Sequence, residues 1–326
     1  MKTFRFLLSI LASAGLVVAA QAQDAPPPPA PALPPGVIGS PGGSGAYPAV
    51  AEVAATLADH TIYHPQTLPS AKMPVVLWGN GACRDNGLAY AGFLREVASH
   101  GYLVVAVGHA RREEPLRPAP AFSTTPTPPA GAPGVVPPRQ VADETQAAQV
   151  VQGLDWALAE NDRKGSAFYR RLDLKAVAVM GHSCGGLQAI AVAADPRVKT
   201  SMILSSGVYN RGTSSGRSQI SVTKAQLADL HGPVAYVNGG PADIAYENAK
   251  DDYDRIAHVP ALFAWLPVGH SGTFFTAPNG GEYGVVAVNW LEWQLKGESK
   301  AAAMFSGAEC GLCRRANWTV QRKGID

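Results

Sequence analysis

Residues 176–194 read AVAVMGHSCGGLQAIAVAA, and the change of pattern inside this stretch decides the fold. Ala176 to Met180 is an unbroken apolar run of strand length, and Leu187 to Ala194 starts a helix. Between them, Gly181-His182-Ser183-Cys184-Gly185 fits G-x-S-x-G. In that turn a strand passes directly into a helix, and the serine is held in strained backbone geometry with its hydroxyl exposed. Glycine is needed on both sides because a Cβ there would collide with neighbouring backbone. The helix start also aims N–H groups at the same point. Gly212-Thr213-Ser214-Ser215-Gly216 fits the motif too, but it follows Asn210-Arg211 in a polar stretch with no strand before it and no helix directly after it. Ser183 is therefore the candidate nucleophile.

On either side of this turn, short apolar runs alternate with helical spacing. Strands are expected at Pro74 to Trp78, Tyr102 to Val107, Val198 to Leu204, Val234 to Val237 and Ala261 to Leu266. Helices are expected around Leu88 to Ala98, over Val141 to Ala159, near Glu247 to Ile256 and over Val285 to Leu295. Continuous apolar strands separated by helices imply an α/β domain, a mostly parallel central sheet with helices on both faces. Such sheets gather their functional loops at the carboxyl ends of the strands.

A serine hydroxyl needs a base, and hydrolases built on this strand–turn–helix order their residues as serine, acid, histidine. Of eight histidines, His60, His64, His100 and His109 come too early, and His182 lies beside the serine, where its ring cannot easily reach the adjacent hydroxyl. His231 and His258 precede predicted strands and so sit at their wrong ends. His270, in Val268-Gly269-His270-Ser271-Gly272, lies just past the run Ala261 to Leu266 and is the candidate base. Asp243 follows Val234 to Val237 in a turn-rich loop and is the candidate acid, able to accept the imidazole N–H and fix its tautomer. Asp251, Asp252 and Asp254 fall on the next helix, where solvated carboxylates are the ordinary case.

A tetrahedral intermediate needs two preorganised N–H donors. One is expected from Cys184, after the nucleophile, and the other from Ala82 in Trp78-Gly79-Asn80-Gly81-Ala82-Cys83. Cys83 and Cys184 both flank this point, so a bridge between them would lock the two segments together; two separate free thiols are the alternative. Cys310 and Cys313 form a lone C-x-x-C, read as a local disulfide rather than a zinc or redox site. Trp78, Tyr246, Phe274 and Phe275 lie beside the expected loops and are candidates for an apolar acyl pocket, with core packing the competing role.

Residues 1–22 read as a signal peptide: Lys2 and Arg5, an apolar run from Phe6 to Ala20, and the small-x-small site Ala20-Gln21-Ala22. The expected destination is the periplasm or the exterior, where cysteines can oxidise. Residues 23–46 are rich in Pro and Gly and read as a tether, leaving residues 47–326 as the folded domain. A Pro-rich insertion at residues 115–138 reads either as a loose surface loop or as a flap over the site. The chain of 326 residues is 46% hydrophobic and 16% charged, which excludes a mostly disordered protein. Its 27 Lys+Arg against 25 Asp+Glu argue against a nucleic-acid partner. No apolar run reaches the roughly 18 residues of a membrane span.

The segments VVLWGNGAC, VMGHSCGG, VNGGPAD and VGHSGTF, in this order, resemble the α/β-hydrolase superfamily. The nearest likeness is to secreted bacterial esterases of the dienelactone-hydrolase and polyester-hydrolase (cutinase-like) type, from about Tyr47 to Leu295. The resemblance implies a triad of Ser183, Asp243 and His270, oxyanion donors at Ala82 and Cys184, and no metal or cofactor. Polyester hydrolases usually carry Tyr or Phe at the first oxyanion position and Met after the serine, where this chain has Ala82 and Cys184. Dienelactone hydrolases use a cysteine nucleophile. The expected activity is hydrolysis of small or polymeric carboxylic esters; the alternatives are an amidase or peptidase with the same triad, or a non-catalytic binding member of the fold.

Overall fold

The computed structural model describes Met1 and residues 36–126, 144–210 and 221–326. The expected signal peptide beyond Met1, most of the tether, the insertion from residue 127 onward and the second G-x-S-x-G lie outside the described residues.

Six strands form the parallel centre of the sheet: β4 (Met73–Gly79), β5 (Leu103–Val107), β6 (Leu172–His182), β7 (Thr200–Leu204), β8 (Val234–Asn238) and β9 (Ala261–Trp265). Three antiparallel strands extend one side: β1 (Val37–Gly42), β2 (Ala49–Glu52) and β3 (His60–Pro65). On the other side β10 (Thr319–Lys323) pairs antiparallel with β9. The resulting ten-stranded order is β1-β2-β3-β5-β4-β6-β7-β8-β9-β10. The mostly parallel α/β architecture read from the apolar runs is therefore present.

The tether is shorter than its composition suggested. Within the stretch read as residues 23–46, Val37 and Ile38 pair with Glu52 and Ala51, and the register then shifts before Gly42. A proline, Pro41, is tolerated here because an edge strand leaves one row of backbone groups unpaired. The expected helix over Val141 to Ala159 begins at Ala147 and runs to Asp162 as α2.

Alternation along β4 explains how helices cover both faces. Val76 and Trp78 point to the side packed by α1 (Ala91–Ser99) and α5 (Gly281–Lys296), contributed by Phe93, Leu94, Val286 and Trp290. Val75 and Leu77 point to the other side, against Val150 and Leu154 of α2, Leu187 and Ile190 of α3 (Cys184–Val192), and Tyr253 of α4 (Tyr246–Arg255). A strand covered on both faces must be apolar at every position, and all seven residues of β4 are buried. The parallel strands all run the same way, so the turns after β4, β6, β8 and β9 open on one edge.

Candidate active site

Strand β6 ends at His182 and α3 starts at Cys184, which leaves Ser183 alone in the turn, at φ 54 and ψ −121. That positive φ is costly for a residue with a side chain and persists only where the surroundings enforce it. The enforcing contact is backbone on backbone: a Cβ at Gly181 would lie 2.1 Å from the Gly185 carbonyl oxygen, and one at Gly185 would lie 2.1 Å from Gly79. The Ser183 N–H donates to Leu204 O (3.0 Å), and the Ser206 hydroxyl donates to Ser183 O (2.6 Å). The serine main chain is thereby fixed to β7 and the loop after it.

Asp243 stands in the turn after β8 and His270 in the turn after β9. The Gly269 N–H donates to Gly239 O (2.8 Å), joining the two turns. His270 Nδ1 lies 2.6 Å from Asp243 Oδ1, and His270 Nε2 lies 2.9 Å from Ser183 Oγ. The three residues singled out in the sequence thus form one hydrogen-bonded row, and the carboxylate at its far end assigns the proton to Nδ1, leaving Nε2 as the acceptor. The Asp243 side chain is fully buried. Burial opposes its ionisation, but the His270 hydrogen bond and charge and the N–H groups of Ala245 (2.9 Å) and Gly239 (3.0 Å) outweigh it, so the carboxyl is held below its usual range.

The other histidines are engaged elsewhere. His231 Nε2 bonds to Val198 O, His258 Nε2 to Leu230 O, and His109 to Asp85. Among the acids set aside in the sequence, Asp252 is not solvated as expected. It is fully buried, with its carboxylate accepting from Lys224 Nζ (2.6 Å), the Val208 N–H (2.8 Å) and the Tyr236 hydroxyl (3.2 Å). It lies on the inward side of α4, which position in a helix does not reveal by itself.

Ala82 sits in the turn after β4 with φ 56 and ψ 21, followed by Cys83 at φ 46. Cys83 and Cys184 form a disulfide with Cα atoms 5.2 Å apart. The bridge clamps this turn onto the first residue of α3, whose N–H lies in the turn of the helix that has no i−4 carbonyl. Cys310 and Cys313 form the second disulfide, so no cysteine is free.

Asn80 braces the same turn from below. Its side chain accepts from Trp78 Nε1 (2.9 Å) and donates to Val107 O (2.7 Å) and Arg84 O (3.1 Å). Of the four aromatic residues nominated for an acyl pocket, Trp78 has no exposed surface and Phe274 and Phe275 are buried. Trp78, Tyr90, Phe93 and Phe274 make a single edge-to-face cluster, with Trp78–Phe274 ring centres 5.9 Å apart and Phe93–Phe274 4.9 Å apart. These side chains are packed into the core beneath the serine turn. Tyr246 is half-buried, against Phe263 and Trp265.

The described part of the Pro-rich insertion lies against the histidine turn. The Arg117 N–H donates to Phe275 O (2.6 Å) and the Ser123 N–H to Pro267 O (3.1 Å), one on each side of His270. Leu116 and Phe122 on this segment are exposed.

Sequence reasoning missed His182 and Tyr90. His182 is buried, its Nδ1 2.7 Å from the Tyr90 hydroxyl and its Nε2 2.7 Å from the His270 carbonyl oxygen. Burial and the neighbouring His270 push its pKa down to about 3. Its place next to the serine was visible in the chain, but its partners are 92 and 88 residues away.

Among the described residues no helix is long and apolar enough to cross a membrane. No protein-family model matches this chain, and no curated protein matches it either.

Proposed function

We propose that this protein is a serine hydrolase of the α/β-hydrolase type that cleaves carboxylic esters. The reading is carried by one observation, the row from Asp243 through His270 to the strained Ser183, with both hydrogen bonds at proton-transfer distance. In this reading His270 Nε2 takes the Ser183 proton as Oγ attacks the acyl carbon. The imidazolium that forms is stabilised by the Asp243 carboxylate, which stays ionised. The N–H groups of Cys184 and Ala82 receive the oxyanion, assisted by the N-terminal end of α3. His270 then returns the proton to the departing alcohol, and a water activated the same way releases the acid.

Export is part of the proposal. It draws on the leader-like residues 1–22 and fits a chain whose four cysteines are all paired, since disulfides persist in oxidising compartments.

The test is a panel of p-nitrophenyl esters of increasing chain length, with matched anilides and a polyester film, run on wild type and Ser183→Ala. Ester turnover and fluorophosphonate labelling, both lost in Ser183→Ala, are expected. Anilide turnover without ester turnover would replace the esterase by an amidase. Failure to label Ser183 would leave a binding protein on the same scaffold.

A further inference from the structure

A second hydrogen-bonded row runs behind the first, and every proton in it has a determined direction. The His270 carbonyl oxygen can only accept, so His182 Nε2, 2.7 Å away, carries the proton. Nδ1 of the neutral ring is then an acceptor, and the Tyr90 hydroxyl, 2.7 Å away, donates to it. The row therefore reads Tyr90 Oη–H to His182 Nδ1, then Nε2–H to the carbonyl of His270.

Its two ends are Tyr90, packed against the turn that carries Ala82, and the turn that carries the base. We infer that His182 and Tyr90 are positioning residues for the reaction proposed above. They hold the His270 main chain at a fixed distance from the oxyanion turn, so that the imidazole meets Ser183 Oγ in line.

Three further observations support this. The first is steric: a Cβ on Gly81 would lie 2.3 Å from the Tyr90 hydroxyl oxygen and 2.6 Å from His182 Nδ1, so the turn is pressed directly onto the row. The second is enclosure, since the buried His182 ring packs against the His270 ring (5.2 Å between centres) and Phe274 (5.1 Å). The third is charge. A proton added at Nδ1 would remove the acceptor of the Tyr90 hydroxyl, so the row keeps this direction only with a neutral His182. Neutrality also suits the chemistry, because His270 must become cationic beside it.

The experiment compares full-length wild type with His182→Phe, His182→Gln and Tyr90→Phe. His182→Phe keeps a ring but no donor. His182→Gln keeps a donor toward the His270 carbonyl. Tyr90→Phe removes a single oxygen. We expect kcat to fall about 10–100-fold in His182→Phe with KM little changed, the size of effect that misplacement of a reacting group produces. His182→Gln should recover most of the loss, and Tyr90→Phe combined with His182→Phe should be no worse than His182→Phe alone.

A readout independent of turnover is the far-downfield proton resonance of the His270–Asp243 hydrogen bond, identified by its absence in His270→Gln. It should shift and exchange faster with water in His182→Phe. An unchanged resonance and unchanged kcat in folded His182→Phe would overturn the inference, as would equal losses in His182→Gln and His182→Phe. If wild type turns over no ester, the hydrolase reading fails by itself, and the resonance comparison still decides this one.

Discussion

Cys83 and Cys184 are joined across 101 residues of chain, with Cα atoms 5.2 Å apart, so the turn after β4 and the start of α3 cannot separate without breaking a covalent bond. Both proposed oxyanion donors sit on the clamped pieces, Cys184 itself and the residue before Cys83. Replacing both cysteines with alanine should cost about 2–5 kcal/mol of stability, the usual loss for a native bridge closing a long loop. It should also lower kcat more than it raises KM. Denaturant titration and steady-state kinetics check the two halves. Thiol titration of the denatured, unreduced protein should find no free thiol.

Asp243 is held ionised at the far end of the row by His270 and two backbone N–H groups. Asp243→Asn keeps the size but offers a donor where the imidazole needs an acceptor, so His270 would take the wrong tautomer. Ester turnover should drop about 10⁴-fold, and the melting temperature should fall as well, because the amide turns a donor toward the N–H of Ala245 or Gly239. Turnover within tenfold of wild type would remove Asp243 from the proposed triad.

Asp252 gives a pH signature of its own. Burial raises its pKa from the ordinary 3.8 to about 6, against the opposing pull of Lys224 and the hydrogen bonds from Val208 and Tyr236. The folded state therefore keeps a proton that the unfolded state releases. This group's stabilising contribution is present below about pH 4 and is lost as the pH rises through 6. Two units correspond to about 3 kcal/mol. Asp252→Asn lacks this titration, so its stability relative to wild type should improve by about 2–3 kcal/mol between pH 4 and pH 7, measured by urea unfolding across that range. A constant difference would show that Asp252 ionises normally.

Phe274 tests whether the aromatic cluster is scaffold or pocket. It is buried against Trp78, Tyr90, Phe93 and Tyr283. Phe274→Ala should cost about 3–5 kcal/mol in unfolding experiments, while the order of preference among ester chain lengths stays the same. A changed preference with unchanged stability would return Phe274 to the acyl pocket.

The central strands and the serine turn were legible because their signals are local. An apolar run such as residues 75–77 or 176–180 needs no partner to be recognised, and the turn at 181–185 sits between a strand and a helix in one short stretch. Chain order after the serine, together with position relative to strand ends, then nominated His270 and Asp243. What stayed hidden depends on distant pairing. Strands β1, β2, β3 and β10 are short or mixed in polarity, and they are strands because a neighbour offers backbone groups: β5 to β3, β3 to β2, β2 to β1 and β9 to β10. Asp252 looked like a solvated helix carboxylate until Lys224 was found packed on it. Trp78 lay at the expected distance from the loops along the chain, but the pleat turns it inward beneath them.

The last strand carries a cost of its own. Thr319–Lys323 pair residue for residue with Trp265 back to Ala261, and this is what closes the far side of the sheet. A version of the protein cut before Thr319 would bare the backbone donors and acceptors of β9, a ready template for a second molecule. Trimming this end would therefore first produce self-association, in a strand that leads directly into the turn bearing His270.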